Sequence, residues 1–191
     1  MIRVFVGTDS DIHADAERVI EYSIRTNTAE AVDLSFIRPG WKAGCTGFTT
    51  HRYLVPKLCG FEGFAIYLDV DMIVLGDLSE LWSYRQAGKW CITRAREDAV
   101  SVIDCSAFRD MPPDSVLQSR IGKTAGIEQV GERYEVCIPE EWNVLDQLTD
   151  DAKLVHYTDL ATQPWRPYRA HRSPSAVLLF FDYLERANAD G

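Results

Sequence analysis

Residues 64–82 read FAIYLDVDMIVLGDLSELW. Residues 64–68 form an unbroken apolar run rich in β-formers, the length and composition of a buried strand. The run leads directly into Asp69-Val70-Asp71, and a second apolar run, residues 72–75, follows before Gly76. Side chains alternate along an extended chain, so Asp69 and Asp71 point to one side and Val70 to the other. Two carboxylates that face the same way repel unless something positive lies between them. A divalent cation is the usual answer, and carboxylate oxygens suit Mg²⁺ or Mn²⁺. The bland alternative is that the pair caps a turn or a helix N-terminus.

Outward from this stretch, strands and helices alternate. Residues 2–6 read as a strand that Gly7 ends, followed by the polar loop GTDSD. Residues 13–25 carry a helical stripe of Ala16, Val19, Ile20, Ser23 and Ile24, with Asp11 as the expected cap. Residues 32–37 read as a strand, stopped by Arg38-Pro39-Gly40. A helix is expected over residues 49–59, with Pro56 an obstacle inside it. A helical turn at 79–82 and strands at 90–93, 99–103, 134–138 and 154–157 follow. Pro112-Pro113 should start a helix of about ten residues that Gly122 ends. Residues 162–174 hold three prolines and read as loop. Residues 175–187 predict a terminal helix with Val177, Leu178, Phe181 and Leu184 on its buried side. The alternation predicts one α/β domain over residues 1–191, with helices on both faces of the sheet. In such sheets ligands bind beyond the carboxyl ends of strands. Gly7-Thr8-Asp9 and Asp69-Val70-Asp71 both occupy such ends.

Composition bounds the function. The chain has 191 residues, 46% hydrophobic and 26% charged, with a net charge of −9. Those values exclude a disordered tail protein. The acidic balance argues against nucleic acid as partner, because phosphate neutralisation needs a basic face. No stretch of about 18 apolar residues occurs, so no transmembrane segment is expected. The N-terminus lacks the apolar core of a secretory signal. The five cysteines, Cys45, Cys59, Cys91, Cys105 and Cys137, are odd in number and form no CxxC pair. That favours reduced, mostly buried thiols and a cytoplasmic protein, and disfavours zinc fingers and disulfide scaffolds.

AIYLDVDMIVLGDLSELW resembles the metal-binding strand of the family 8 glycosyltransferases, which include glycogenin and bacterial galactosyltransferases. That family's pattern is an apolar strand, Tyr-Leu-Asp-x-Asp, an apolar run, then Gly-Asp-Leu-x-x-Leu-Trp. Tyr67, Leu68, Asp69, Asp71, Gly76, Asp77, Leu78, Leu81 and Trp82 fall in register with it. The resemblance implies a GT-A-like nucleotide-diphospho-sugar transferase sandwich, with a mixed, mostly parallel sheet and helices on both faces. It implies transfer of a hexose from a UDP-sugar, UDP-glucose or UDP-galactose, to a saccharide or other hydroxyl acceptor, with retention. Three further blocks follow in the family's order. VFVGTDSD resembles the first strand and uridine-contacting loop, which places Gly7, Thr8 and Asp9 near the donor. GFTTHRYLVPKL resembles the block that carries the family's donor-contacting Arg, here Arg52. LVHYTDLATQPW resembles the late His…Pro-Trp block, which makes His156 the third ligand of Mn²⁺ beside Asp69 and Asp71. Val70, Asp98 and Gln163 fall in the family's donor-contacting regions.

The chain also departs from that pattern. Gln163 stands where the family has a diphosphate-gripping Lys, and Asp159 where it has Gly. The Asp-Gln-Asp segment is absent, with Asp114 and Gln118 in the comparable region. The family's Asn-Ser-Gly-Val strand corresponds to residues 97–100. A nucleotide-sugar-binding protein without turnover is therefore one alternative, and no catalytic nucleophile is named. A haloacid dehalogenase-type phosphatase is the other; its motif wants Thr or Val where this chain has Ile73. Arg52 reads as either a solvated helix charge or a fork for diphosphate and sugar hydroxyls. Asp9 reads as a helix cap or a ribose contact. Trp82, Trp90 and Trp142 read as core. Arg166, Arg169 and Arg172 read as a solvated loop, or as the substitute for the missing Lys. His13, His51 and His171 carry no pattern.

Overall fold

The computed structural model describes residues 1–42, 46–95, 97–166 and 173–190, without the side chains of residues 10–12. The strands are β1 (Ile2–Gly7), β2 (Val32–Ile37), β3 (Phe64–Asp69), β4 (Met72–Val74), β5 (Trp90–Arg94), β6 (Glu97–Asp104), β7 (Tyr134–Val136), β8 (Val144–Leu145) and β9 (Leu154–His156). The helices are α1 (Ser10–Asn27), α2 (Val55–Leu58), α3 (Leu78–Ser83), α4 (Asp114–Leu117), α5 (Gly122–Val130) and α6 (Pro174–Ala189), with short 3₁₀ turns between them. Six strands form the main sheet in the order β2-β1-β3-β6-β5-β7. β1 runs parallel to β2 and β3, and β5 parallel to β7, while β6 is antiparallel to both its neighbours. A small second sheet has the order β4-β9-β8.

The period-2 alternation of the strands sorts the core into two layers. Val4, Val6, Ile66, Leu68, Val100 and Val102 face one side, where Val19, Ile20 and Ile24 of α1 and Phe180 of α6 pack on them. Ala65, Tyr67, Trp90, Ile92 and Ile103 face the other, under Val55, Leu117 and Val130. Each such side chain contributes about 1.5–3 kcal/mol on burial, which is why these apolar runs tolerate no exposed face. Helices thus cover both faces, as the alternation of strands and helices implied.

The site is placed by the break between β3 and β4. β3 pairs with β1 up to Gly7↔Asp69, and Val70 N–H still reaches Gly7 O at 3.0 Å. The chain then leaves the sheet. β4 pairs antiparallel with β9, with Met72 opposite His156, and Tyr157 N–H donates to Asp71 O at 2.8 Å. The second apolar run therefore belongs to a different sheet from the first, and that switch carries His156 beside Asp71.

Three expectations are corrected. α4 has one turn only, and Gly122 opens α5 where a stop was expected. Gly122 lies so close to Leu117 O, and Gly126 to the Tyr53 ring, that a side chain at either would collide. These glycines serve close packing, not helix termination. In α6 the buried residues are Ala176, Phe180 and Tyr183, whereas Leu178 is 70% and Phe181 48% exposed. The aromatic contacts of Phe180 with Tyr157 and Trp165, and the bond from Asn27 Nδ2 to Tyr183 Oη at 3.0 Å, set the register of α6. Of the two acids read as caps for α1, Asp9 and not Asp11 occupies the N-cap, and among the described residues its side chain makes no capping bond. The stripe expected for α1 is buried throughout.

Candidate functional site

Asp69 at the end of β3, Asp71 two residues on and His156 at the end of β9 each point one ligand atom at a common centre. These atoms lie within 4.8 Å of one another, and all three residues are buried. The i, i+2 spacing of the two acids does what the sequence implied, and Val70 turns its side chain into the apolar core.

The charge around them is unbalanced. Arg52, buried in the 3₁₀ turn before α2, sends Nη2 to both oxygens of Asp69 at 3.0 and 2.9 Å and Nη1 to Asp98 Oδ1. Tyr53 Oη and Tyr134 Oη donate to Asp98 Oδ2 at 2.8 and 2.9 Å, and Tyr67 Oη donates to Asp69 Oδ1 at 2.6 Å. Asp98 is held below the usual carboxylate range: burial opposes this, but Arg52 and the two phenols outweigh it. Burial pushes Asp69 up to about 6, against the pull of Arg52. Among the described residues, three buried carboxylates thus face one guanidinium and one imidazole.

The histidine geometry also fits a cation. His156 Nδ1 lies 2.9 Å from Asn143 Oδ1, and Asn143 Nδ2 donates to Thr93 Oγ1 at 3.3 Å. The amide oxygen therefore takes the Nδ1–H, which leaves the lone pair of the neutral ring on Nε2. Nε2 faces Asp71 Oδ1 at 3.3 Å, and that buried oxygen has no hydrogen-bond partner among the described residues. A lone pair set against a carboxylate oxygen calls for a proton or a metal ion between them. Burial lowers the His156 pKa, but Asp71 outweighs it and raises the net value. Two carboxylates and an imidazole form a donor set that fits Mn²⁺.

Gln163 is buried against the same acids. Its Nε2 donates to Asp71 Oδ2 at 3.1 Å and to Tyr157 O at 2.9 Å, and its Oε1 accepts from Arg166 Nε at 3.0 Å. Arg166 thus reaches the cluster through Gln163. Arg169, Arg172, His171 and Cys45 lie outside the described residues.

A cavity of about 210 Å³ opens past the end of β1, lined by Thr8, Asp9, Arg38, Trp41, Lys42 and His51 among others. Thr8 Oγ1 donates to Glu17 Oε1 at 2.5 Å, and Arg38 Nη2 holds Glu17 Oε2 at 2.6 Å. Asp9 pairs with Lys42 at 3.0 Å. His51 is edge-on to Trp41, with its pKa lowered by burial to about 4. Gly7 forms the floor of this strand end; a methyl there would collide with Tyr67 Oη. His13, at a kink in α1, is buried between Phe48 and Trp165, and its Nδ1 has no hydrogen-bond partner among the described residues.

The structure therefore brings Asp69, Asp71, His156, Arg52, Asp98 and Gln163 into one connected network, with Gly7, Thr8 and Asp9 at the neighbouring strand end. Both terminal nitrogens of Arg52 are engaged by carboxylates and the residue is buried, so it is not a solvated helix charge. Trp90 and Trp142 are core, as expected, and Trp82 is half-buried. Sequence reading missed Asn143, Tyr53, Tyr134 and Glu17. Only Tyr67 left a signal, two residues before Asp69 on the same face of β3.

No protein-family model and no curated protein sequence matches the chain. Solved structures do. The chain superposes on the bifunctional glycosyltransferase WbbM with a TM-score of 0.71 at 12% identity, covering 96% of this chain and 49% of that one. For the apo form of glycosyltransferase GlyE of Streptococcus pneumoniae TIGR4 the values are 0.73 and 13%, covering 96% and 60%. For galactosyltransferase LgtC, in complex with donor and acceptor sugar analogs, they are 0.65 and 14%, covering 99% and 96%. The chain thus has the glycosyltransferase fold, and it spans half to three fifths of the length of the first two.

Proposed function

We propose that this chain is a metal-dependent glycosyltransferase that moves a hexose from UDP-glucose or UDP-galactose to a hydroxyl acceptor with retention. The observation that carries this is the convergence of ligand atoms of Asp69, Asp71 and His156 within 4.8 Å at the end of β3, whose Asp69 pairs with Gly7 at the end of β1. The fold shared with WbbM, GlyE and LgtC supports it, as does the register of residues 65–82 with the family 8 pattern.

In this reading Asp69, Asp71 and His156 hold Mn²⁺. When bound, the ion supplies a Lewis acid that neutralises the diphosphate as it leaves. Asn143 fixes the His156 tautomer, and Gln163 orients Asp71. Arg52 acts on the donor through Asp69, which it aims together with Tyr67. Thr8 and Asp9 contact the nucleoside in the cavity, where Asp9 exchanges Lys42 for the ligand. Retention follows from same-face attack, the leaving phosphate oxygen taking the acceptor's proton.

The test is release of UDP from each UDP-sugar, with and without Mn²⁺, by wild type and by Asp71→Ala. Mn²⁺-dependent release that Asp71→Ala abolishes supports the assignment. Release that ignores the metal or survives the substitution overturns it.

A further inference from the structure

The chain leaves β9 at His156 and returns to the acidic cluster at Gln163, with no helix or strand over the described residues between them. Asp146, the residue after β8, holds this strap. Its φ is 54°, a left-handed conformation that Asp tolerates better than most residues. From there its N–H donates to His156 O at 2.9 Å. Its carboxylate reaches across to the strap, where Oδ1 accepts from Asp159 N–H at 3.1 Å and Oδ2 from the Thr158 hydroxyl.

The strap then closes on itself. Asp159 Oδ1 accepts from Ala161 N–H at 3.1 Å, and Asp159 O from Thr162 N–H at 2.9 Å. That turn delivers Gln163, which is 1% exposed. Gln163 Nε2 spends its two protons on Tyr157 O at 2.9 Å and Asp71 Oδ2 at 3.1 Å, so the amide has one orientation. Asp71 is thus gripped twice by the strap, at its side chain by Gln163 and at its carbonyl by Tyr157 N–H at 2.8 Å. Groups that hold a metal ligand in this way govern its direction as the ligand itself governs the ion.

We propose that Asp146 is a positioning residue for the metal site, which sets the strap over residues 157–163 and, through Gln163, the direction of Asp71. The inference rests on the metal reading given above and extends it to a residue outside the ligand set. Asn143 and Asp146 divide the work: Asn143 fixes the His156 ring through Nδ1, and Asp146 fixes the His156 carbonyl and the chain that follows.

The experiment measures Mn²⁺ affinity by paramagnetic resonance of the free ion, with urea unfolding beside it. Asp146→Gly keeps the positive φ without strain and keeps the N–H to His156, but removes both side-chain acceptors. Its dissociation constant for Mn²⁺ should rise about 10–100-fold. Asp146→Asn also suits positive φ and retains an oxygen for Asp159 N–H, so it should recover most of that loss. Gln163→Ala should weaken binding as well, and adding Asp146→Gly to it should change little further, because the two act in series. If Asp146→Gly fails to fold, Thr158→Val removes one of the two strap bonds and should weaken Mn²⁺ binding in the same direction. A purely structural Asp146 would lower the urea midpoint and leave Mn²⁺ affinity at the wild-type value. That result, wild-type affinity in Thr158→Val, or full additivity with Gln163→Ala overturns the proposal and leaves the metal site standing. Wild-type protein that binds no Mn²⁺ overturns the metal reading itself, and this proposal with it.

Discussion

Replacing Arg52 with Met should be among the most damaging single changes in the chain. The side chain is 6% exposed and holds Asp69 at 2.9 Å while also binding Asp98. Met fills a similar volume but leaves both carboxylates buried without their cation. Breaking a buried pair from one side costs about 3–5 kcal/mol, because the surviving charge keeps its desolvation penalty. At roughly 2–4 °C per kcal/mol for a chain of this size, that corresponds to a fall in Tm of about 6–20 °C. The double variant Arg52→Met with Asp98→Asn should recover about 1–3 kcal/mol, since contacting groups couple by that much. Urea unfolding of wild type, both single variants and the double variant, all in EDTA, measures the cycle. Arg52→Met within 1 kcal/mol of wild type, or full additivity in the cycle, would refute the view that Arg52 neutralises these acids.

Three further outcomes follow from the geometry. Asn143→Leu removes the acceptor of His156 Nδ1–H and should weaken Mn²⁺ binding about 10–100-fold, read by paramagnetic resonance of free Mn²⁺; unchanged affinity would separate Asn143 from the metal site. Burial pushes the His51 pKa down to about 4 from its ordinary 6.5, so the unfolded chain takes up a proton that the folded chain refuses. Its stabilisation is complete above pH 6.5 and is lost as pH falls from there toward 4, about 3 kcal/mol in all at about 1.4 kcal/mol per unit; His51→Phe should flatten that slope in urea titrations, and an unchanged slope would assign it to other groups. In α6, Phe180→Ala should cost about 3–5 kcal/mol and Leu178→Ala under about 0.5 kcal/mol, so comparable losses would mean the helix is seated in another register.

The strands that carry the site were legible because each buries at least one face. Residues 64–68 are apolar without interruption and residues 2–6 are broken only by Arg3, and burial leaves such runs no other placement. The stripe of α1 was equally plain, since polar residues fill its other side. α6 misled because it is apolar almost all round: Leu178 and Phe181 compete with Phe180 and Tyr183, and only docking against Tyr157, Trp165 and Asn27 chooses between them. Gly122 misled because a glycine stops a helix by its backbone freedom but can also open one by needing no space.

In the site, Asp69 and Asp71 were marked by their spacing at the end of an apolar strand together with the register of residues 65–82 with the family 8 pattern. The partners of Arg52 were not. Asp98 lies 46 residues away on a strand that becomes a neighbour only through the β3–β6 pairing. Asn143 was equally hidden, since it reaches His156 only across the second sheet, where Leu145 pairs with His156. No helix of the described residues is long and apolar enough to cross a membrane, as the hydropathy pattern implied.

Calorimetric titration of UDP into the protein, first with Mn²⁺ and then with EDTA, tests the central claim most directly. Heat of binding with Mn²⁺ that vanishes in EDTA is the predicted result, with Asp69, Asp71 and His156 joining the nucleotide to the chain through the ion. No binding in either condition, or equal binding in both, would contradict the metal-bridged donor site.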